Sequence, residues 1–157
     1  MGARITSRFP QDVDLVALAE GLRQADIEEL QAVTDLLPCE AVIASVQASD
    51  PQFLRAWHAD GQLVCIAGCS PKSHTVAAPW LLATDLLDLH FKSLHRYALL
   101  GLVDMLEVYP VLSNVVDVRQ TRVVDWLLRL GFSVEIEPEF RKAGFGVVRF
   151  EMRAADV

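Results

Sequence analysis

Residues 113–132 constrain the fold more than any other stretch, because strand, tight turn, helix and stop signals follow one another there without a gap. Val115, Val116 and Val118 are β-branched, and such residues suit a buried strand. Thr121 is placed to cap the helix that follows, its hydroxyl accepting an orphan N–H of the first turn. Val123, Trp126, Leu127 and Leu130 recur at i, i+3, i+4 and i+7 and form one apolar helix face, with Arg122, Asp125 and Arg129 on the other side. Asp125 and Arg129 make an i,i+4 pair worth a few tenths of a kcal/mol at most. Gly131 supplies a left-handed C-terminal residue, and Phe132 opens the next strand.

The 157 residues are enough for one domain with one sizeable core, and hydrophobic residues at 52% exclude a disordered chain. No apolar run reaches the ~18 residues of a membrane span, and the first residues lack a signal-peptide profile. A cytoplasmic protein with no membrane partner is expected. The net charge of −7 is uneven: residues 1–60 hold ten acids and four bases, residues 61–157 eleven and ten. A solvated acidic face on the N-terminal helices follows, and with no basic surface no nucleic-acid partner is expected. Cys39, Cys65 and Cys69 cannot all pair and are expected reduced; Cys65 and Cys69, four apart in a strand, read as small buried hydrophobes, and no histidine completes a zinc set.

Taken in order, residues 3–9 read as a strand. Pro10, Gln11 and Asp12 open a helix with Val13, Val16 and Ala17 inward. Asp26-x-x-Glu29 reads as an acidic capping box starting a second helix, and Pro38 as the first turn of a third, with Val42, Ile43 and Val46 on its apolar side. Residues 53–59 and 62–69 form a hairpin about a type I′ Asp60-Gly61 turn, with His58 exposed and a bulge at Gly68. Residues 76–84 make another strand, with Pro79 at an irregularity or edge. Residues 86–109 make a long helix, apolar on nearly every side and so largely buried, stopped by Pro110. Residues 133–138 and 147–152 are strands joined by a loop over 139–146.

The run 113–132 resembles the C-terminal signature of the GNAT (acetyl-CoA-dependent N-acetyltransferase) superfamily. With Pro79-Trp80-Leu81-Leu82-Ala83-Thr84-Asp85, Tyr109-Pro110 and Arg149-Phe150-Glu151-Met152-Arg153, the wider pattern resembles the acetyltransferase-like internal virion and assembly proteins of short-tailed bacteriophages. The resemblance implies one α/β (α+β) GNAT-like domain over 1–157. Its mixed, mostly antiparallel sheet would be flanked by helices and splayed between the fourth and fifth strands. Acetyl-CoA would lie in that gap, held by Leu82, Ala83 and Thr84, by Lys92, Ser93, His95 and Arg96 if a helix begins near Ser93, and by Gln120.

Three residue types depart from the family. No glycine stands between Thr84 and Arg96, where family enzymes carry a glycine-rich pyrophosphate loop, and Asp85 and Asp88 would repel a phosphate. Leu127 stands where many family enzymes have a proton-donating tyrosine, and leucine donates nothing. Gln120 replaces the usual asparagine but keeps an amide. No general base stands out among His74, Asp117, Glu135 and Glu137. Two functions follow from the resemblance: a virion-assembly or virion-associated factor with acetyl transfer weak or lost and virion proteins as partners, or an active N-acetyltransferase acting on an amine. A third reading is an unrelated α/β domain binding a protein partner. It would lack the splay.

Overall fold

The computed structural model describes residues 2–140 and 146–157. Among the described residues eight strands form one sheet in the order β1-β2-β3-β4-β5-β8-β6, with β7 paired to β8. They are β1 (Ile5–Arg8), β2 (Arg55–Ala59), β3 (Gln62–Pro71), β4 (Val76–Ala83), β5 (Val111–Asp117), β6 (Ser133–Val134), β7 (Glu139–Phe140) and β8 (Gly146–Arg153). The helices are α1 (Asp12–Gly21), α2 (Gln24–Val33), α3 (Pro38–Gln47), α4 (Leu87–Val108) and α5 (Thr121–Leu130). All pairings are antiparallel except β4 with β5. The middle of the expected 139–146 loop lies outside the described residues.

Alternation along the strands sends side chains to two cores. On one face Ile66 and Leu82 pack with Leu18 of α1, Ile27 and Leu30 of α2 and Val42 of α3. On the other, Cys65, Ala83, Leu112, Val116 and Phe150 pack with Leu94 and Met105 of α4 and Trp126 and Leu130 of α5. The architecture is therefore mixed α/β, a mostly antiparallel sheet flanked by five helices.

The local signals explain much of this. Asp60 (φ 49°) and Gly61 (φ 81°) both take positive φ, the requirement of a type I′ hairpin. Gly131 ends α5 at φ 102°. Pro38 stands in the first turn of α3, and α4 ends at Val108, before Tyr109 and Pro110.

Other expectations are corrected. The bulge falls between Trp57 and His58; Gly68 pairs regularly with Trp80, and a Cβ there would press on Leu54, 3.1 Å from its Cδ1. Val13 and Val16 are exposed, because α1 instead turns Asp14 inward. Asp14 accepts hydrogen bonds from Arg8 and the Gln11 N–H and lies 3.0 Å from His58 Nε2, so His58 is buried. Ile43 is likewise half exposed on α3. The long helix buries one face, through Leu87, Phe91, Leu94, Leu102, Met105 and Leu106, and leaves Leu89, Leu100 and Val103 exposed. Thr121 does not cap α5; Gln120 holds the N-cap position without a side-chain cap.

Two glycines separate close packing from open space. Gly68→Val is expected to cost about 1–3 kcal/mol by overpacking against Leu54. Gly101→Ala, inside α4 with nothing within 4 Å of the added Cβ, is expected to stabilise by up to about 1 kcal/mol. Urea unfolding midpoints of the two variants check both signs.

Candidate cleft between the diverging strands

The sheet parts at one place. β4 and β5 pair only at Val76–Val111 and Ala77–Leu112. Backbone direction alternates along a strand: Thr84 N–H bonds Val64 O of β3, so Ala83 and every second residue before it face β5. Pro79 falls in that set and has no N–H to offer, so the parallel ladder cannot continue past it. Asn114 then wedges the gap. Its Nδ2 donates to Pro79 O at 2.8 Å and its Oδ1 accepts from the Val115 N–H at 2.8 Å.

Parted strands leave polar backbone groups inside the protein, and these must find partners. The α1–α2 segment supplies several of them. Arg23 N–H donates to Ala83 O at 2.9 Å, Ala83 N–H donates to Asp26 Oδ2 at 2.8 Å, and Leu22 bridges Thr84. One helical turn on, Glu29 Oε1 accepts from the Asp117 N–H of β5 at 2.9 Å. Two carboxylates at i,i+3 on α2 thus hold one N–H of each diverging strand. Gln120 ties them together: its Nε2 donates to Glu29 Oε2 at 2.9 Å and its Oε1 accepts from Arg23 Nη2 at 3.3 Å. Arg23 also donates to Asp26 at 2.9 Å.

The electrostatics follow from burial. Burial raises Glu29 from its ordinary 4.5 to about 7, opposed by the Asp117 N–H and aided by the nearby Asp26 charge. Burial also raises Asp26, against the opposing charge and hydrogen bonds of Arg23. Asp117 moves the other way: burial would raise it, but the side-chain and backbone hydrogen bonds of Arg119 outweigh that and hold it below the usual carboxylate range.

A cavity of about 390 Å³ passes through the gap. Asp26, Glu29, Asn114 and Gln120 edge it near the splay, and α4 and α5 wall it with Leu94, Ala98, Gly101, Val123, Trp126 and Leu127. Leu127, standing where a tyrosine is usual, presents only hydrocarbon to it. A second cavity of about 310 Å³ lies at the open end, among Arg23, Asp85, Asp88, Asp117, Arg119 and Arg122. Its cations are engaged by its acids: Arg23 is 3.6 Å and Arg122 3.5 Å from Asp88, and Arg119 grips Asp117.

The anticipated ligand-binding residues divide. Leu82 and Gln120 line the larger cavity, and Ala83 and Thr84 end the strand beside it. Lys92, Ser93, His95 and Arg96 line neither cavity. α4 starts at Leu87, so Ser93 lies inside the helix, where its backbone N–H is not an orphan and cannot hold an anion. Lys92, Ser93 and Arg96 are exposed, while His95 Nδ1 accepts from Trp126 Nε1 at 3.0 Å. His74, Glu135 and Glu137 are exposed outside the cavity linings, and Asp117 is committed to Arg119. The residues not anticipated here are Arg23, Asp26, Glu29, Arg119 and Arg122. Asp26-x-x-Glu29 is not a capping box: α2 begins at Gln24 and both acids turn to the cleft.

No protein-family model and no curated protein matches the chain. Solved structures match closely in shape. Ard1 from Thermoplasma volcanium has a TM-score of 0.67 at 16% identity, covering 95% of this chain and 97% of that one. Spermidine N-acetyltransferase from Vibrio cholerae, in complex with CoA and spermine, has 0.67 at 14%, covering 97% and 96%. An acetyltransferase of the GNAT family from Bacillus anthracis has 0.68 at 9%, covering 98% and 96%. The fold is therefore the GNAT fold, splay included. Among the described residues no helix is long and apolar enough to cross a membrane.

A carboxyl with a raised folded-state pKa binds more protons folded than unfolded between its two values. Glu29 thus lowers stability as pH rises from about 4.5 to about 7, after which its effect levels off. Glu29→Gln cannot ionise. Its urea midpoint is expected to rise relative to wild type between pH 5 and pH 8. A constant difference over that range would mean that Glu29 titrates as an ordinary carboxyl.

Proposed function

We propose that residues 1–157 form one GNAT-like domain that acts by binding, with acetyl transfer weak or lost. We propose further that it serves as a virion-assembly or virion-associated factor, with virion proteins as partners, as its resemblance to the short-tailed phage proteins implies. One observation carries the loss of transfer: both strand edges of the cleft already bond the protein's own carboxylates, Ala83 N–H to Asp26 and Asp117 N–H to Glu29. An extended amide chain would have to displace both. Gln120, the remaining amide, is spent on Glu29 and Arg23. At the open end a pyrophosphate would meet Asp85 and Asp88, and the arginines there are paired with acids. As arranged, these residues do not fit acyl-CoA.

A second reading, N-acetyl transfer to an amine, draws support from Glu29 alone. A carboxyl held at about 7 beside an apolar cavity is matched to accepting a proton near neutral pH.

Thermal unfolding in the presence of acetyl-CoA separates the two. A ligand at a hundredfold excess over its Kd stabilises by about 2.7 kcal/mol, several degrees for a domain of this size. The binding reading predicts no saturable shift at millimolar acetyl-CoA. A saturable shift, with acetyl transfer that rises through about pH 7 and disappears in Glu29→Gln, would establish the second reading instead.

A further inference from the structure

Away from its splayed edge the cavity is mostly apolar, with Ser45 and Arg55 among the few polar side chains that line it. On α4 the positions facing it include Ala98 and Gly101, flanked by Leu94, Tyr97 and Leu102. The small residues leave room that larger ones would fill; a Cβ at Gly101 would meet nothing within 4 Å. Opposite stand Val123, Trp126, Leu127 and Leu130 of α5, and Trp57 closes against Tyr97 with ring centroids 5.1 Å apart.

Several polar side chains at its border are engaged. Trp126 Nε1 donates to His95 and Trp80 Nε1 to Ser49 at 2.7 Å, and both ends of the Asn114 amide are bonded. Among the described residues no buried side-chain nitrogen or oxygen lacks a partner. No buried side chain there asks a ligand for a hydrogen bond, and the cavity's volume lies in the range of small-molecule sites. Charge narrows the class. An anionic head at the polar edge would face Asp26 and Glu29, with Arg23 already bonded to Asp26. A cationic head would lie beside the Arg23 guanidinium, against acids that already accept from Arg23, the strand N–H groups and Gln120.

We propose that this cavity binds an uncharged, water-insoluble molecule built on an alkyl chain, seated between α4, α5 and the parted strands. The proposal rests on the self-satisfied cleft edges of the preceding section, and it does not depend on whether acetyl transfer survives.

Trp57, Trp80 and Trp126 all line the cavity, so intrinsic fluorescence of the full chain reports its filling. The protein is titrated with straight-chain alcohols from 1-hexanol to 1-dodecanol, and at ten carbons also with decanoate and decylamine. Affinity is expected to rise about fourfold per methylene, the factor for burying one CH₂, until the cavity is full and the series breaks. Decanol should bind at least tenfold more tightly than either charged analogue. A series with no break, or a charged analogue that binds as tightly, overturns the proposal. Gly101→Leu should weaken decanol at least tenfold and move the break to a shorter chain, whereas Leu89→Ser, on the exposed side of α4, should change neither. Unchanged affinity in Gly101→Leu overturns the proposal; if that variant does not fold, Gly101→Ala must still move the break. No displacement of decanol by millimolar acetyl-CoA is expected; displacement would show that the cleft edges open to a ligand and would overturn the proposal together with the binding-only reading.

Discussion

A missing backbone N–H at Pro79 sets the rest of the structure. It falls on the side of β4 that faces β5, directly after the two residue pairs that join these strands, and the parallel ladder ends there. From that point two central strands of one sheet diverge, each with an edge that no strand covers. Buried backbone donors left without acceptors cost about 1–3 kcal/mol apiece, so the parting is tolerable only if something else takes the strands' place. The α2 helix does, through Asp26 and Glu29.

That substitution decides what the cleft can do. Carboxylates taken from water must be held by donors, and here the donors are strand N–H groups, Arg23 and Gln120. The network is closed on itself: the groups that would meet an extended ligand are the groups that hold α2 in place. On the far side of the gap α4 and α5 offer mostly hydrocarbon, and Leu127 offers no proton. The polar side chains of α2 and Gln120 are used internally while apolar volume remains open. The same fold thus combines a cleft shaped for a ligand with chemistry unsuited to phosphates and amides.

Much of the architecture was legible in the residues because it depends on neighbours in sequence. The Asp60-Gly61 hairpin, the Gly131 stop, the Pro38 start and the apolar face of α5 are local devices. The GNAT-like splay was legible only through resemblance. The cleft network was not legible at all. Asp26 meets Ala83, and Glu29 meets Asp117 and Gln120, contacts between residues far apart in the chain, and an i,i+3 acidic pair near a helix start has the same pattern as a cap. For a similar reason α1 was turned the wrong way: Val13 and Val16 are apolar, but the long-range attraction of Arg8 and His58 for Asp14 sets the helix orientation. The basic residues of α4 misled because their value as an anion site depended on where the helix begins. That start is fixed by the turn at residues 84–86, not by Ser93.

Amide hydrogen exchange at Ala83 and Asp117, followed by NMR, tests the central claim most directly. Neither N–H has a strand partner across the gap, yet both are donors to carboxylates of α2. The account predicts slow exchange at both positions in the wild type, with Asp26→Ala releasing Ala83 and Glu29→Ala releasing Asp117 while the β3–β4 ladder stays protected. Fast exchange at both amides in the wild-type protein would show that the carboxylates do not hold the parted strands, and the account of a self-occupied cleft would fail.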